Sequence, residues 1–378
     1  MKIVIDDKIP FIRGVFEPYA QVVYLPGAST TAEDVRDADA LITRTRTKCN
    51  ASLLEGSSVK IVFTATIGFD HIDTRWCESN GIIWRSAPGC NSGSVRQYIA
   101  AVLVTLCDRY GLNFKDVTLG VVGVGNVGSK VASVAGAMGM KVLLNDPPRE
   151  RREGVDGFSS LDEIISTCNI ITLHVPMQQT GPDATYHLFD GKTFDRMKKE
   201  TILINSSRGP VVSNSDLKEA LASGKIRAVA LDVWENEPAP DPELVSLLDI
   251  ATPHIAGYSA DGKANGTAAA VRGVAEVLGI EGLKGWSVPS VPGPEVNTEF
   301  SINAAGLSFQ QTIAKAILHT YDIGRDSDAL RLSLESFEKL RGSYPIRREF
   351  EAFTINLSGG SPQEIQALET IGFKVKQI

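Results

Sequence analysis

The run Val121-Val122-Gly123-Val124-Gly125-Asn126-Val127-Gly128 constrains this 378-residue chain more than any other segment. Three glycines at G-x-G-x-x-G spacing follow a strand-like apolar run, Thr118 to Val122, and open a helical pattern reaching Met138. The first glycine permits a tight turn, the second lets backbone approach a pyrophosphate, and the third lets helix and strand pack closely. Free N–H groups and the positive dipole end at the helix start then face the phosphates. The next strand pattern, Lys141 to Asn145, ends at Asp146, eighteen residues past Gly128. An acidic residue there accepts hydrogen bonds from a ribose 2′-hydroxyl and repels a 2′-phosphate, which selects NAD over NADP. Arg149 argues the other way, but Pro147-Pro148 separate it from Asp146. NAD is therefore the expected cofactor, on Gly123, Gly125, Asn126, Val127, Gly128 and Asp146.

This unit sits inside a longer alternation. Strand-like runs at Lys2 to Asp6, Val22 to Leu25, Ala40 to Thr43, Val59 to Thr64 and Ile82 to Trp84 are separated by helix-compatible or turn-rich stretches. After a helix opened by Ser92 or Ser94 and running through Leu106, a second series continues past Lys141 with Ile170 to Val175, Thr201 to Asn205, Ile226 to Asp232 and Asp249 to Thr252. Strands alternating with helices predict parallel sheets covered on both faces. Gly282 to Pro294 has linker composition, and the remainder reads as a small α+β module with helices at Gln310 to Tyr321 and Ser327 to Leu340 and a strand at Phe350 to Leu357.

Charge narrows the partners. With 38 Lys and Arg against 45 Asp and Glu, the formal charge is −7, which repels nucleic acid as a main ligand but leaves room for a small anion held by local arginines. No apolar run approaches the ~20 residues a membrane helix needs. The start turns acidic at Asp6-Asp7 before a signal-peptide core could form. Five scattered cysteines lack zinc or CxxC spacing, as do His174, His187 and His319 as a ligand set. Reduced thiols in a cytoplasmic protein without metal or membrane contact are the expectation.

Three further blocks stand at strand ends: Asn205-Ser206-Ser207-Arg208-Gly209, Asp232-Val233-Trp234-Glu235-Asn236-Glu237-Pro238, and Thr252-Pro253-His254-Ile255-Ala256-Gly257. Open α/β sheets bind ligands at that edge. Oxidising a hydroxy acid needs a base for the hydroxyl proton, and histidine titrates near neutrality. A neighbouring carboxylate fixes its tautomer, and an arginine can fork onto a substrate carboxylate. Taken singly, each block also reads as an ordinary loop.

In combination, the glycine fingerprint and these blocks resemble the signature series of the D-2-hydroxyacid dehydrogenases over residues 1 to 280. The resemblance implies a flavodoxin-like substrate domain (1–93 with 258–285) and a Rossmann NAD-binding domain (94–257), both doubly wound α/β, followed by a small C-terminal α+β domain (286–378). It implies Arg208 as the substrate-carboxylate arginine, His254 as acid/base, and Glu237, directly before the proline, as its partner in preference to Glu235. Further cofactor positions carried over are Val175, Ser206, Ser207, Arg208, Asp232 and Gly257. Val175 stands where the family usually has threonine.

Asp146-Pro147-Pro148-Arg149, Ala87-Pro88-Gly89-Cys90-Asn91, the His254 to Tyr258 stretch and the added module resemble a branch of that family. This implies a small phosphorylated hydroxy-acid substrate and a cytoplasmic homodimer formed through the C-terminal domain. Arg44, Thr45 and Arg46, after a strand end, suit a phosphate by charge-assisted hydrogen bonds, although a solvated loop explains them equally well from chemistry alone. Arg46 departs from the family pattern. Thr66 and Tyr258 match substrate contacts, His71 is expected to order a turn, and Arg347-Arg348 could reach the phosphate from a partner subunit. Two other readings are another member of the family, such as a glyoxylate/hydroxypyruvate reductase or a 3-phosphoglycerate dehydrogenase, and an NADH-sensing interaction protein on the same fold. The C-terminal module argues against the first, the retained Arg208, Glu237 and His254 against the second.

Overall fold

A computed structural model describes residues 1–378. The chain divides into two compact units, Met1–Asn91 with Ser259–Pro292, and Ser92–Tyr258 with Gly293–Ile378. In the first unit, β1 (Lys2–Asp6), β2 (Gln21–Leu25), β3 (Ala40–Thr43), β4 (Ile61–Thr64) and β5 (Ile83–Arg85) form a parallel sheet in the order β2-β1-β3-β4-β5, the flavodoxin-like order. The period-2 alternation of strand side chains divides the core in two. Ile3, Ile5, Ile42, Ile61 and Phe63 pack on Val271 and Val274 of the helix Ala260–Leu278, whereas Val4, Leu41 and Val62 face Leu53, Leu54 and Cys77. Gly273 lets that helix lie close, because a Cβ there would stand 2.2 Å from the Phe63 ring.

The second unit carries β6 (Thr118–Val122), β7 (Lys141–Asn145), β8 (Ile170–Leu173), β9 (Thr201–Asn205), β10 (Ile226–Leu231) and β11 (Ile250–Ala251). All pair in parallel, in the order β11-β10-β9-β8-β6-β7. The direction of winding reverses at β6 and β8, the place where such sheets bind ligands. The strand expected beyond β7 in a full dinucleotide fold is reduced to one backbone hydrogen bond, Ser159 N–H to the Leu144 carbonyl at 2.6 Å, with the Asn145 side chain donating to the Ser159 carbonyl at 2.8 Å.

Residues 293–378 contribute β12 (Glu299–Asn303), β13 (Thr354–Ser358) and β14 (Lys374–Gln377), a parallel sheet in that order. Its helices are Phe309–Thr320 and Pro362–Ile371. The structure departs from the sequence reading here at one strand it did not contain and at two expected elements. β12 has too few apolar residues to stand out. Phe350–Ala352 is a 3-10 turn rather than strand. The helix expected over Ser327 to Leu340 is two, Ile323–Leu332 and Phe337–Gly342.

Nor does this module have a core of its own. Ile302, Ile313, Ile317, Ile355 and Leu368 join one continuous cluster with Ile99, Leu103, Leu119 and Val121. The helix Ser92–Arg109 lies at its centre, buried around nearly its whole circumference, as expected of a helix apolar on all sides. At ~1.5–3 kcal/mol for each large side chain removed from water, this shared core ties module and sheet into one folding unit.

Candidate active site

The three blocks converge at the carboxyl edge of the second unit's sheet. After β9, the Asn205 side chain builds a turn: Oδ1 accepts from Ser207 N–H (3.0 Å) and Ser207 Oγ (2.8 Å), and Nδ2 donates to the Arg208 carbonyl (3.0 Å). Arg208 Nη1 donates to the Ser207 carbonyl at 2.8 Å, and the side chain is half-buried. Gly209 must be glycine, since a Cβ would lie 2.0 Å from the Trp234 carbonyl carbon. This close approach brings the Arg208 turn against the loop after β10.

That loop bends back on itself. Trp234 N–H donates to Glu237 Oε1 (3.0 Å), and the buried Trp234 indole donates to the Thr252 carbonyl (3.0 Å) on the loop after β11. Glu237 Oε2 then accepts from His254 Nδ1 at 2.7 Å. Burial alone would raise the Glu237 carboxyl, but the His254 hydrogen bond and charge, the Trp234 N–H and the charge of Arg341 outweigh it and hold it below the ordinary carboxylate range. With Nδ1 engaged, Nε2 is the nitrogen left to meet a substrate. Glu235, the competing carboxylate, is spent elsewhere: Oε1 meets His187 Nε2 at 2.6 Å and Oε2 accepts Asn214 N–H at 3.0 Å.

His254 adopts φ = +56°, in the left-handed region that non-glycine residues rarely occupy. Its neighbours fix it there. The buried Asp232 accepts Thr252 Oγ1 (2.6 Å) and Ile255 N–H (2.8 Å) on one oxygen and Ala256 N–H (2.9 Å) on the other. Burial pushes the Asp232 carboxyl up to about 6, against the lowering effects of His254 and these hydrogen bonds. Tyr98 Oη meets Thr252 Oγ1 at 2.8 Å and extends the network into the core. Gly257 and Tyr258 close the turn, with Tyr258 N–H on the Ile255 carbonyl at 2.8 Å.

The glycine turn after β6 fits a dinucleotide. Gly123 sits at φ = +88° against His174 and Val175, and a Cβ at Gly128 would strike the Gly123 carbonyl at 1.9 Å. A Cβ at Gly125 meets nothing within 4 Å, so the space above it is open, and Asn126 beside it is exposed. Val127 precedes the helix Gly128–Ala137. Ser206 Oγ is buried without a hydrogen-bond partner, a group suited to a bound molecule. Asp146 accepts Val124 N–H (2.8 Å) and Arg149 N–H (3.0 Å), which orients its carboxylate and leaves lone pairs for hydroxyls. Arg149 is not free to select a 2′-phosphate, because its Nε and Nη2 fork onto Glu153 at 2.9 and 2.6 Å. The side chains of Ser207 and Asp232, both expected at the cofactor, are tied to the turn and to the histidine loop.

The first unit gathers its own polar edge. Thr64 Oγ1 donates to the Arg44 carbonyl (3.0 Å) and shares a 2.7 Å hydrogen bond with Thr66 Oγ1; Arg44 Nη1 reaches the Lys8 carbonyl (3.4 Å). The loops after β1, β3 and β4 therefore meet, with Thr45 and Arg46 exposed at their surface. His71 Nε2 lies 3.3 Å from Thr43 Oγ1, and its carbonyl accepts Cys49 N–H. One expectation is corrected. Arg347 is 5% exposed and committed within its own chain, to Ser94 Oγ and the Ile255 and Ala256 carbonyls, so it cannot reach a partner's ligand. No local motif could have shown this, because its targets lie 91, 92 and 253 residues earlier.

A family model described as D-isomer specific 2-hydroxyacid dehydrogenase, NAD binding domain, matches residues 97–256, and a model described as a domain of unknown function matches 291–372. The chain is 49% identical over 356 residues to an erythronate-4-phosphate dehydrogenase of Bacteroides fragilis, covering 94% of this chain and 99% of the relative. It is 41% identical over 375 residues to one of Porphyromonas gingivalis, covering 99% and 100%. Among solved structures, the D-lactate dehydrogenase of Aquifex aeolicus complexed with NAD and lactic acid aligns with a TM-score of 0.60 at 27% identity, over 78% of this chain and all of that one. With such identity over nearly its full length, the chain belongs to the erythronate-4-phosphate dehydrogenase family of D-2-hydroxyacid dehydrogenases.

Proposed function

We propose that the protein oxidises 4-phospho-D-erythronate to 2-oxo-3-hydroxy-4-phosphobutanoate with NAD, a step toward pyridoxal 5′-phosphate. The observation that carries this reading is the 2.7 Å pair of His254 and Glu237, braced in one unit with Arg208 and the glycine turn. Arg208 forks onto the substrate carboxylate and polarises the carbonyl that develops at C2. His254 Nε2 takes the C2 hydroxyl proton, and Glu237 stabilises the imidazolium that results. NAD, when bound, supplies the hydride acceptor at nicotinamide C4. Gly123, Gly125 and Gly128 admit its pyrophosphate, and Asp146 accepts from the ribose hydroxyls. Ser206 supplies a further hydroxyl, while Asn126, Val127, Val175 and Gly257 flank the cofactor. Ser207 and Asp232 serve through the loops they hold. Within the first unit, Arg44, Thr45 and Arg46 suit the substrate phosphate and Thr66 is a further substrate contact; Tyr258 is the substrate contact on the histidine loop.

We infer a homodimer formed through residues 286–378. Apolar side chains left at that module's surface, Leu332 at 86% exposure with Val296 and Ile346, support it. Five free cysteines and a substrate and cofactor of cytoplasmic metabolism support a cytoplasmic location. The deciding assay follows NADH formation with 4-phospho-D-erythronate, 3-phosphoglycerate and glycerate. Turnover with the first, at a kcat/KM well above the others, is expected; no NADH from it refutes the assignment. A monomeric mass by light scattering refutes the dimer.

A further inference from the structure

Arg347 lies in the segment matched to a domain of unknown function, yet its guanidinium ends on the histidine loop. Nη2 donates to the Ala256 carbonyl at 2.6 Å, to the Ile255 carbonyl at 3.1 Å and to Ser94 Oγ at 2.8 Å. Ser94 Oγ in turn donates to the same Ala256 carbonyl at 3.0 Å. The peptide joining Ile255 to Ala256 is therefore gripped on both edges, its N–H by Asp232 and its carbonyl by Arg347. His254 immediately precedes it.

The guanidinium is itself held in place. It lies 4.4 Å from the Tyr321 ring centroid and 5.7 Å from that of Tyr344, an arrangement favourable for a buried cation. Both tyrosine hydroxyls donate to Asp326 Oδ2 at 2.7 Å. Asp326, Tyr321 and Tyr344 belong to the C-terminal module, so the module presents a rigid, charged finger to a loop of the sheet. A bare docking contact would need apolar packing, which the shared core already supplies. A buried arginine aimed at two carbonyls beside the acid/base histidine has a more particular consequence.

We propose that Arg347 is a positioning residue: the C-terminal module acts through it to fix the His254 loop in its catalytic geometry. The proposal rests on the reading of His254 as acid/base. A histidine displaced by about 1 Å loses on the order of 10²-fold in rate.

The test compares Arg347→Met and Arg347→Lys with Gln310→Ala, a control that loosens the module elsewhere by removing the bonds of Gln310 to Phe114 N–H and the Leu112 carbonyl. At a temperature where all variants are folded, Arg347→Met should lower kcat by about 10- to 100-fold with KM for 4-phospho-D-erythronate within about threefold. Arg347→Lys should recover part of the loss, and Gln310→Ala should keep kcat whatever its melting temperature. In parallel, amide hydrogen exchange in the unliganded protein should quicken at Ile255 and Ala256 in Arg347→Met and not in Gln310→Ala. Should Arg347→Met fail to fold, Tyr344→Phe, which removes one bond to Asp326, takes its place in both measurements. Unchanged kcat with unchanged exchange at Ile255 and Ala256 overturns the proposal. So does equal loss of kcat in the Gln310→Ala control. Faster exchange in a protein that does not turn over the substrate would count against the assigned reaction and leave the clamp standing.

Discussion

Replacing Asp232 with asparagine separates what this buried carboxylate does for the loop from what it costs the fold. Its carboxyl rises from ~3.9 in the unfolded chain to about 6 in the folded protein. The folded state therefore binds the proton more tightly, and Asp232 lowers stability as pH rises from the first value through the second. The full cost is about 3 kcal/mol, of which about 2 kcal/mol is incurred between pH 4.5 and 7.5. Asparagine carries no charge and escapes this cost. It introduces another, because its amide must face either the Ile255 or the Ala256 N–H, leaving a donor unpaired at ~1–3 kcal/mol at every pH. Urea unfolding of both proteins across pH 4.5–7.5 should show the variant weaker by no more than about 2 kcal/mol at the acid end, with the difference moving by about 2 kcal/mol in its favour toward neutrality. Taking the difference cancels groups that titrate alike in both proteins. Over the same range kcat should stay about 10- to 100-fold down, since the histidine loop has lost half its grip. A stability gap that does not change with pH would refute the argument that the Asp232 carboxylate is held ionised at neutral pH against its burial.

Glu237→Gln keeps the shape of the pair but not its charge, so kcat should fall by about 10²-fold while KM for NAD stays within about twofold, read by steady-state kinetics. Gly209→Ala drives a Cβ into the Trp234 carbonyl; the Arg208 turn must move, and kcat/KM should drop at least about tenfold together with a lower melting temperature. Asp146→Ser should raise KM for NAD about tenfold and narrow the preference over NADP. Adding Glu153→Ala, which releases the Arg149 fork, should increase NADP turnover further; no gain would remove the Arg149–Glu153 pair from the account of cofactor choice.

The inner strands of both large sheets were legible because their runs of β-branched and aliphatic residues are buried on both faces and bounded by turn residues; Ala40–Thr43 and Thr201–Asn205 match residue for residue. The glycine turn was legible because its spacing is set within one turn, where Gly128 packs on the Gly123 carbonyl, although the backbone pressing on Gly123 comes from His174 and Val175 after β8. Glu299–Asn303 was not, because only Ile302 of its five side chains is buried. In the site, Arg208, Glu237 and His254 stand in recognisable blocks, but chemistry alone left Glu235 as a rival. What separates the two is a tertiary fact, that His187 reaches Glu235 from the loop after β8. Asp232 and Arg347 show the limit most clearly. A sequence reveals residue types that can bind a cofactor or an anion, yet both side chains point at backbone amides of a loop whose conformation no local pattern encodes.

That loop explains why two opposite charges are buried so close to one histidine. An αL residue other than glycine costs about 1 kcal/mol or more, and His254 persists at φ = +56° only if its surroundings over-determine it. Asp232 takes the N–H groups of the next two residues and Arg347 takes their carbonyls. Neither interaction favours the fold cheaply, because each buries an ionised group, and an apolar pair could fill the same volume. Apolar contacts, however, do not specify direction, whereas a carboxylate and a guanidinium placed on opposite edges of one peptide fix its orientation as well as its position. The arrangement gives up stability for a defined imidazole. The Glu237 hydrogen bond then needs only to choose the tautomer, since the ring's location has already been set by the backbone that carries it.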